Sequence, residues 1–288
     1  MRLADRMTIA GVGLIGGSLA AAAREAGLVG EVLGFGRTKA NLETARTRGL
    51  IDRIVTDDAA AAAADVIVLA APVRTSGTLA ARFAPHAKAT AIVTDVGSVK
   101  GTLVAALEAT WPDPARVVGA HPIAGSEESG AGAAKADLFR GRLCVLTPTA
   151  RTAPEALRTI RALWEGVGAR VEEMSAAAHD AILARVSHLP HVLAYALVRA
   201  VADGRADGRR LLDYAGSGFL DATRIAASPA EVWRDIALAN RAAIEEALGE
   251  LRIALDDLAA LIAAEDGAGL EQALDAAART RRGMGVKA

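Results

Sequence analysis

A histidine, a serine and a carboxylate leave one point of the chain together, in His121-Pro122-Ile123-Ala124-Gly125-Ser126-Glu127, directly after the apolar run Arg116-Val117-Val118-Gly119-Ala120. An imidazole titrates close to neutral pH and can take a proton from a reacting hydroxyl, and Ser126 and Glu127 can hold polar groups of a ligand. The apolar run predicts a buried strand, and in an open parallel sheet ligands are met beyond the carboxyl ends of the strands. Gly and Pro also occupy such loops for plain turning reasons, so the loop by itself fixes no function.

Its context is set by a glycine turn more than a hundred residues upstream. Met7-Thr8-Ile9-Ala10 reads as a strand running into Gly11-Val12-Gly13-Leu14-Ile15-Gly16, after which alanines, Arg24 and Glu25 continue as a helix to Gly27. Gly11 permits a tight turn, Gly13 lets backbone approach a pyrophosphate, and Gly16 lets the helix lie against the strand. Leu14 and Ile15 open that helix, whose unpaired N–H groups suit an anion. A second strand, Glu31-Val32-Leu33-Gly34-Phe35-Gly36, follows and completes the dinucleotide-binding pattern. An NAD-type site carries an acidic residue at the end of that strand; here Gly36-Arg37-Thr38-Lys39 stands there instead. Arg37 and Thr38 would welcome a 2′-phosphate, which predicts NADP in preference to NAD; the alternative is that Arg37 stacks on adenine and both are used.

These groups need a sheet to position them. The alternation continues with helices over 39–48 and 59–64, a strand over 65–70 that breaks at Ala71-Pro72-Val73, counted here among the cofactor contacts, and a strand over 91–95. Val96-Gly97-Ser98-Val99-Lys100-Gly101 then enters another helix, and strands over 116–120, 142–146 and 169–173 follow, with a helix over 154–166. Strands alternating with helices predict βαβ units and a parallel sheet. From Ser175, a helix cap, strand patterns stop: a long helix to residue 202 interrupted at Pro190, then helical stretches over 209–214, 229–262 and 270–282. The expected fold is α/β, an N-terminal Rossmann-type dinucleotide-binding domain over 1–173 and a C-terminal all-helical domain over 174–288.

The 288 residues carry 33 basic and 34 acidic side chains, a net charge of −1, so no summed field draws the chain to nucleic acid or an anionic membrane. The charged start, Met1 to Arg6, has no signal-peptide core, and no uninterrupted apolar stretch of membrane-spanning length is read, so a cytoplasmic location is expected. Cys144, in an apolar run, reads as a buried structural thiol. His188 and His191 have a spacing that could place two imidazoles on one helix face, but no carboxylate or cysteine at ligand spacing accompanies them and Pro190 intervenes, so no metal is expected. Asp221 and Arg224, three residues apart, form either a surface ion pair or an arginine fork for a substrate carboxylate oriented by Asp221. Trp233 is core or a site wall. Ser98 and Ser126 lack the surroundings of a nucleophile and read as hydrogen-bond donors.

Five stretches taken together, GVGLIGGSLA (11–20), TDVGSVKG (94–101), GAHPIAGSEESG (119–130), SHLPH (187–191) and FLDATRIAASPAEVWRDI (219–236), closely resemble the prephenate and arogenate dehydrogenases of tyrosine biosynthesis over nearly the whole chain. The resemblance implies a helical domain that forms a homodimer. It also implies oxidation of a ring C4 hydroxyl by NAD(P) with loss of the ring carboxylate, giving 4-hydroxyphenylpyruvate from prephenate or tyrosine from arogenate. By the same resemblance His121 is the catalytic histidine, Ser98 bonds the same hydroxyl, Arg224 grips a substrate carboxylate, and Ser126, Glu127, His191, Asp221 and Trp233 line or orient the site. Pro229 departs from the polar residue that many relatives carry there.

Two other readings compete. A β-hydroxyacid dehydrogenase shares the two-part layout but is expected to use a helical-domain lysine, and Lys is absent from Glu173 to Gly283. A non-enzymatic dinucleotide sensor would need no base at the strand end, where His121 stands.

Overall fold

The computed structural model describes residues 2–125 and 128–284. It forms two compact units, Met1–Asn240 and Arg241–Ala288. In the first, β1 (Ala4–Ala10), α1 (Leu14–Glu25), β2 (Val29–Phe35), α2 (Lys39–Thr47), β3 (Arg53–Ile54), α3 (Asp58–Ala62), β4 (Val66–Leu69), α4 (Val73–Phe83), β5 (Ile92–Asp95), α5 (Gly101–Thr110) and β6 (Val117–Pro122) alternate in turn. Then come β7 (Leu143–Thr147), α6 (Pro154–Gly166) and β8 (Arg170–Glu173). The eight strands lie in the order β3-β2-β1-β4-β5-β6-β7-β8.

Strand residues alternate between two cores, which is why these strands are apolar throughout rather than on one side. Val32 and Val68 face one core with Leu19, Ile160 and Trp164. Leu33, Ile67 and Leu69 face the other with Phe83, Leu107 and Trp111. Phe35 meets Phe83 edge to face at 5.1 Å, and Phe139 meets Trp164 in the same way. Cys144 is buried in β7, and burial pushes its thiol far above the usual range, so it is no nucleophile.

The sheet is not wholly parallel. β7 pairs antiparallel with β6, His121 opposite Val145. Antiparallel neighbours need no crossover helix, and among the described residues between them only a single 3-10 turn, Ala131–Ala133, is present.

Beyond β8, Ser175 caps α7 (Ala176–Leu183) by accepting from the Ala178 N–H at 3.1 Å. The helix does not break at Pro190. It passes through a π turn, Ala184–His188, into α8 (Leu189–Val201). Proline has no N–H for the i−4 carbonyl, and the wider turn just before it accommodates that loss. Within Ala176–Val201 an 18-residue window has a mean hydropathy of 1.4, enough to cross a membrane by length and composition alone, although charged and polar residues interrupt the stretch. Its polar side chains His179, Asp180 and His188 are instead buried within the protein, and Ile182, Val186, Leu193 and Leu197 are exposed.

Strand structure also persists past residue 175, as a two-strand hairpin of β9 (Arg205–Ala206) and β10 (Arg209–Arg210), so 209–214 begins extended rather than helical. The turn sits at Asp207 and Gly208, both at positive φ. α9 (Ser217–Thr223), a 3-10 turn (Arg224–Ala227) and α10 (Ala230–Ala239) follow. The helix expected over 229–262 is broken at Asn240, whose side-chain amide donates to the Asp180 carbonyl at 2.8 Å. The second unit is a helix pair, α11 (Arg241–Ala263) and α12 (Gly267–Gly283), with Asp266 capping α12.

Candidate active site

At the switch between β1 and β4, where the strand order reverses, the loops after both strands border a cleft of about 490 Å³. Gly11, Gly13, Arg37, Thr38, Ala71 and Pro72 line it. Gly11 has φ +107°, and a Cβ there would strike the Ala70 carbonyl. A Cβ on Gly16 would strike the Gly11 carbonyl and lie 2.8 Å from Ile9, so only glycine lets α1 approach the sheet so closely. Gly13 differs: a Cβ there would meet nothing within 4 Å, so packing does not demand glycine and the bare backbone faces open space. Leu14 and Ile15 begin α1, and Val73 begins α4; with Gly16 they flank the cleft rather than line it. The cradle fits a dinucleotide pyrophosphate, which the N–H groups at the start of α1 would hold.

Among the described residues no carboxylate lines this cleft, whereas Arg82 is a second cation there, pairing with Asp58 at 2.7 Å and lying 5.8 Å from the Phe35 ring. Arg37 is exposed. Arg82 was not legible in the sequence, because α4 reaches the cleft only through the fold.

The second group forms where β5, β6, α5 and α7 meet. His121 is 8% exposed near the end of β6. Its Nδ1 lies 2.8 Å from Nε2 of His179, and Nδ1 of His179 lies 2.7 Å from Oδ1 of Asp180. Asp180 also accepts from the N–H groups of Lys100 and Gly101, both at 2.8 Å, at the start of α5. Burial alone would raise the Asp180 carboxyl, but the hydrogen bonds from His179, Lys100 and Gly101 outweigh it and hold it below the usual range. For His121, burial first, then the Lys100 ammonium, then His179 and His188 push the imidazole well below its ordinary value. It is therefore neutral at neutral pH, the form that can accept a proton.

Lys100 is fully buried, ion-paired with the equally buried Asp95 and donating to the Ala120 carbonyl at 2.8 Å, one residue before His121. Asp95 in turn accepts from Ala120 N at 3.2 Å and Gly97 N at 2.7 Å. This pair fixes β6 against the loop that carries Ser98, which is half-buried.

His188 is 1% exposed, and its Nδ1 lies 3.2 Å from the Asn240 amide. Its Nε2 is buried without a hydrogen-bond partner among the described residues. Burial lowers it to about 4, with the Asp180 charge and the Ser98 backbone opposing, so it too is neutral. His191 stacks on Trp233 at 3.4 Å, and the same half-buried tryptophan also packs against the second core. α8 also packs on the 224–227 turn, where Tyr195 donates to the Ser228 carbonyl at 2.8 Å. Arg224 opens that turn and Asp221 lies on α9, both exposed. Ser126 and Glu127 fall outside the described residues.

His179, Asp180, Lys100 and Asn240 were not singled out from the sequence. The only local signal was His179 beside Asp180 on an otherwise apolar helix. Their partners lie 58 and 80 residues away, at His121 and Lys100.

Residues 19–173 match the family model described as prephenate dehydrogenase, nucleotide-binding domain, and residues 175–276 match prephenate dehydrogenase, dimerization domain. The chain is 38% identical to the cyclohexadienyl dehydrogenase of Zymomonas mobilis over 93% of this chain and 92% of that protein. Among solved structures it is similar to the prephenate dehydrogenase of Aquifex aeolicus, solved with hydroxyphenyl propionate and NAD+: TM-score 0.92, 36% identity, 97% of this chain and 98% of that one. The Synechocystis arogenate dehydrogenase follows at TM-score 0.82 and 33% identity, covering 96% and 99%. With the two family models matched over residues 19–173 and 175–276 and a relative 38% identical over 93% of the chain, the chain belongs to the prephenate dehydrogenase family.

Proposed function

We propose that this enzyme oxidises and decarboxylates prephenate or arogenate with a nicotinamide dinucleotide, giving 4-hydroxyphenylpyruvate or tyrosine. The observation that carries the reading is His121, neutral and buried at the end of β6 in a sheet whose first turn has the glycine geometry that would cradle a dinucleotide. When bound, the cofactor accepts a hydride from the substrate ring C4. His121 takes the C4 hydroxyl proton as that oxygen becomes a carbonyl, with Ser98 bonding the same hydroxyl. Loss of the ring carboxylate as CO2 returns its electron pair to the ring, which becomes aromatic, and the proton goes back to the phenolic oxygen. Arg224, oriented by Asp221, holds a non-reacting substrate carboxylate, and Ser126, Glu127, His191 and Trp233 complete the pocket. Following reduced nicotinamide with each substrate tests this: turnover of neither rejects it. In the same assay Arg224→Ala raises KM more than it lowers kcat, as loss of uniform binding requires.

The relatives' names divide between prephenate and arogenate, so both substrates belong in that assay. Functionally we divide the chain at 1–173 and 174–288, a boundary supported by the meeting point of the two family models.

For the cofactor we propose a preference for NADP over NAD. Arg37 and Thr38 line the cleft beyond β2, Arg82 adds a further cation, and among the described residues no carboxylate lines it to repel a 2′-phosphate. The Aquifex relative was solved with NAD+, so the comparison is a direct one. The ratio of kcat/KM for NADP to that for NAD exceeds one in the wild type and falls about tenfold or more in Arg37→Asp. An unmoved ratio removes Arg37 from the reading.

We also propose a homodimer through the helical domain. Ile182, Val186, Leu193 and Leu197 of α7–α8 are exposed in the first unit, and Ile253, Leu255 and Ile262 of α11 are exposed in the second, each apolar surface of the kind a second copy covers. Light scattering should give a mass near twice that of the 29.5 kDa chain; a monomer at micromolar concentration contradicts it.

A further inference from the structure

We infer that His179 and Asp180 are positioning residues for the base: they hold His121 with its proton on Nδ1, so that the bare, basic nitrogen is Nε2. The inference rests on the reading of His121 as that base. It follows from donors and acceptors counted along one chain of hydrogen bonds.

The chain starts at Asp180. Its two oxygens accept the backbone N–H groups of Lys100 and Gly101 at 2.8 Å each, at the start of the ten-residue helix α5, and these donors fix the carboxylate in place. An ionised carboxylate has only acceptors to offer. The Nδ1 of His179, 2.7 Å from Oδ1, must therefore carry a hydrogen. A neutral imidazole carries one hydrogen, so Nε2 of His179 is bare and can only accept. Nδ1 of His121, 2.8 Å from it, must then be the donor. The remaining nitrogen of His121, Nε2, is left as the lone pair.

A protonated His179 would reverse the last bond and leave His121 with its hydrogen on Nε2, unable to act as a base. The inference is for neutral His179, the form in which only Nδ1 carries a hydrogen. His179 is 0% exposed, and the negative charge of Asp180 is already shared by two backbone donors. The ionisable groups gathered around the chain are Lys100, itself paired with Asp95, and His188, held neutral by burial. When Nε2 of His121 takes the substrate proton, both its nitrogens become donors, the Nδ1 hydrogen stays directed at His179, and the positive charge faces the fixed carboxylate through one imidazole. No bond other than the Nε2–H bond forms at the protein in that step, and the proton later returns to the substrate oxygen. The arrangement does through two side chains what a carboxylate bonded directly to a catalytic imidazole does through one.

Two substitutions separate the two ends of His179. In His179→Asn the shorter amide can still donate to Asp180 but cannot reach His121, so the tautomer is no longer imposed. In His179→Gln the amide oxygen reaches the place of Nε2 and still accepts from Nδ1 of His121. Long-range proton–nitrogen spectra of protein labelled with 15N-histidine, with the His121 signals assigned by His121→Asn, should show His121 protonated on Nδ1 in the wild type and in His179→Gln, and mixed or on Nε2 in His179→Asn. In turnover, His179→Asn loses about 10²-fold or more in kcat with KM changed little, and His179→Gln recovers most of it. Wild-type His121 protonated on Nε2, or His179→Asn within about threefold of wild-type kcat, overturns the inference. If His179→Asn does not fold, the wild-type and His179→Gln spectra decide the matter alone. A wild type inactive on both substrates rejects the proposed reaction instead, and the tautomer measurement still stands.

Discussion

Replacing His121 by Asn lowers kcat by about two to four orders of magnitude and leaves cofactor binding in place. Asparagine keeps a hydrogen-bonding group near the Nδ1 position, so the contact to His179 can survive, but no basic nitrogen remains for the substrate hydroxyl. The nucleotide cleft is built by other segments, the turns after β1, β2 and β4, which explains why binding persists. Single-turnover rates with each substrate, alongside cofactor titration by fluorescence, check both halves. Activity within a few-fold of the wild type would remove His121 from the chemistry. The same histidine sets the pH dependence. A base works while neutral, and burial with Lys100, His179 and His188 around it moves the imidazole well below the ordinary value of 6.5. The acid limb of the kcat profile assigned to this group therefore lies below that value, and the rate stays flat as pH falls through 6.5. A limb centred at or above 6.5 would mean that the imidazole is more hydrated than its 8% exposure implies.

Lys100→Met destabilises the fold by about 3–5 kcal/mol, because it leaves the carboxylate of Asp95 buried without its counter-charge. Both side chains are 0% exposed, so water cannot replace the ammonium. The loss spreads into the site: Lys100 Nζ also binds the Ala120 carbonyl, one residue before His121. A second substitution isolates the cause. Asp95→Asn in the same chain removes the orphaned charge and keeps one oxygen, enough for the N–H of Gly97 or of Ala120 but not for both, since these bond different carboxylate oxygens, and should recover part of the lost stability. Urea unfolding of the wild type, the single variant and the double variant measures this. A single variant within about 1 kcal/mol of the wild type would show that the pair contributes little beyond packing.

The glycine turn, the strand–helix alternation and the exit loop at His121 were legible in the sequence because each is a local pattern: Gly11, Gly13 and Gly16 are spaced by the geometry of one turn, and an apolar run followed by polar residues marks one strand end. The family, too, was carried by short ordered stretches. The direction of β7 was not legible, since an apolar strand reads alike in either orientation and only the missing crossover helix decides it. Nor was the route of the chain at Pro190, where proline marked a break in the ladder but the π turn that absorbed it depends on the packing of His188. The residues around the base belong to the same class. His179 and Asp180 are two adjacent side chains on an apolar helix, and nothing in that helix says that one will meet β6 and the other the start of α5. Local sequence determined which elements form and where a ligand would be met; tertiary structure alone decided the partners of His121, because a hydrogen bond between residues 58 positions apart exists only once the sheet and the helix have packed.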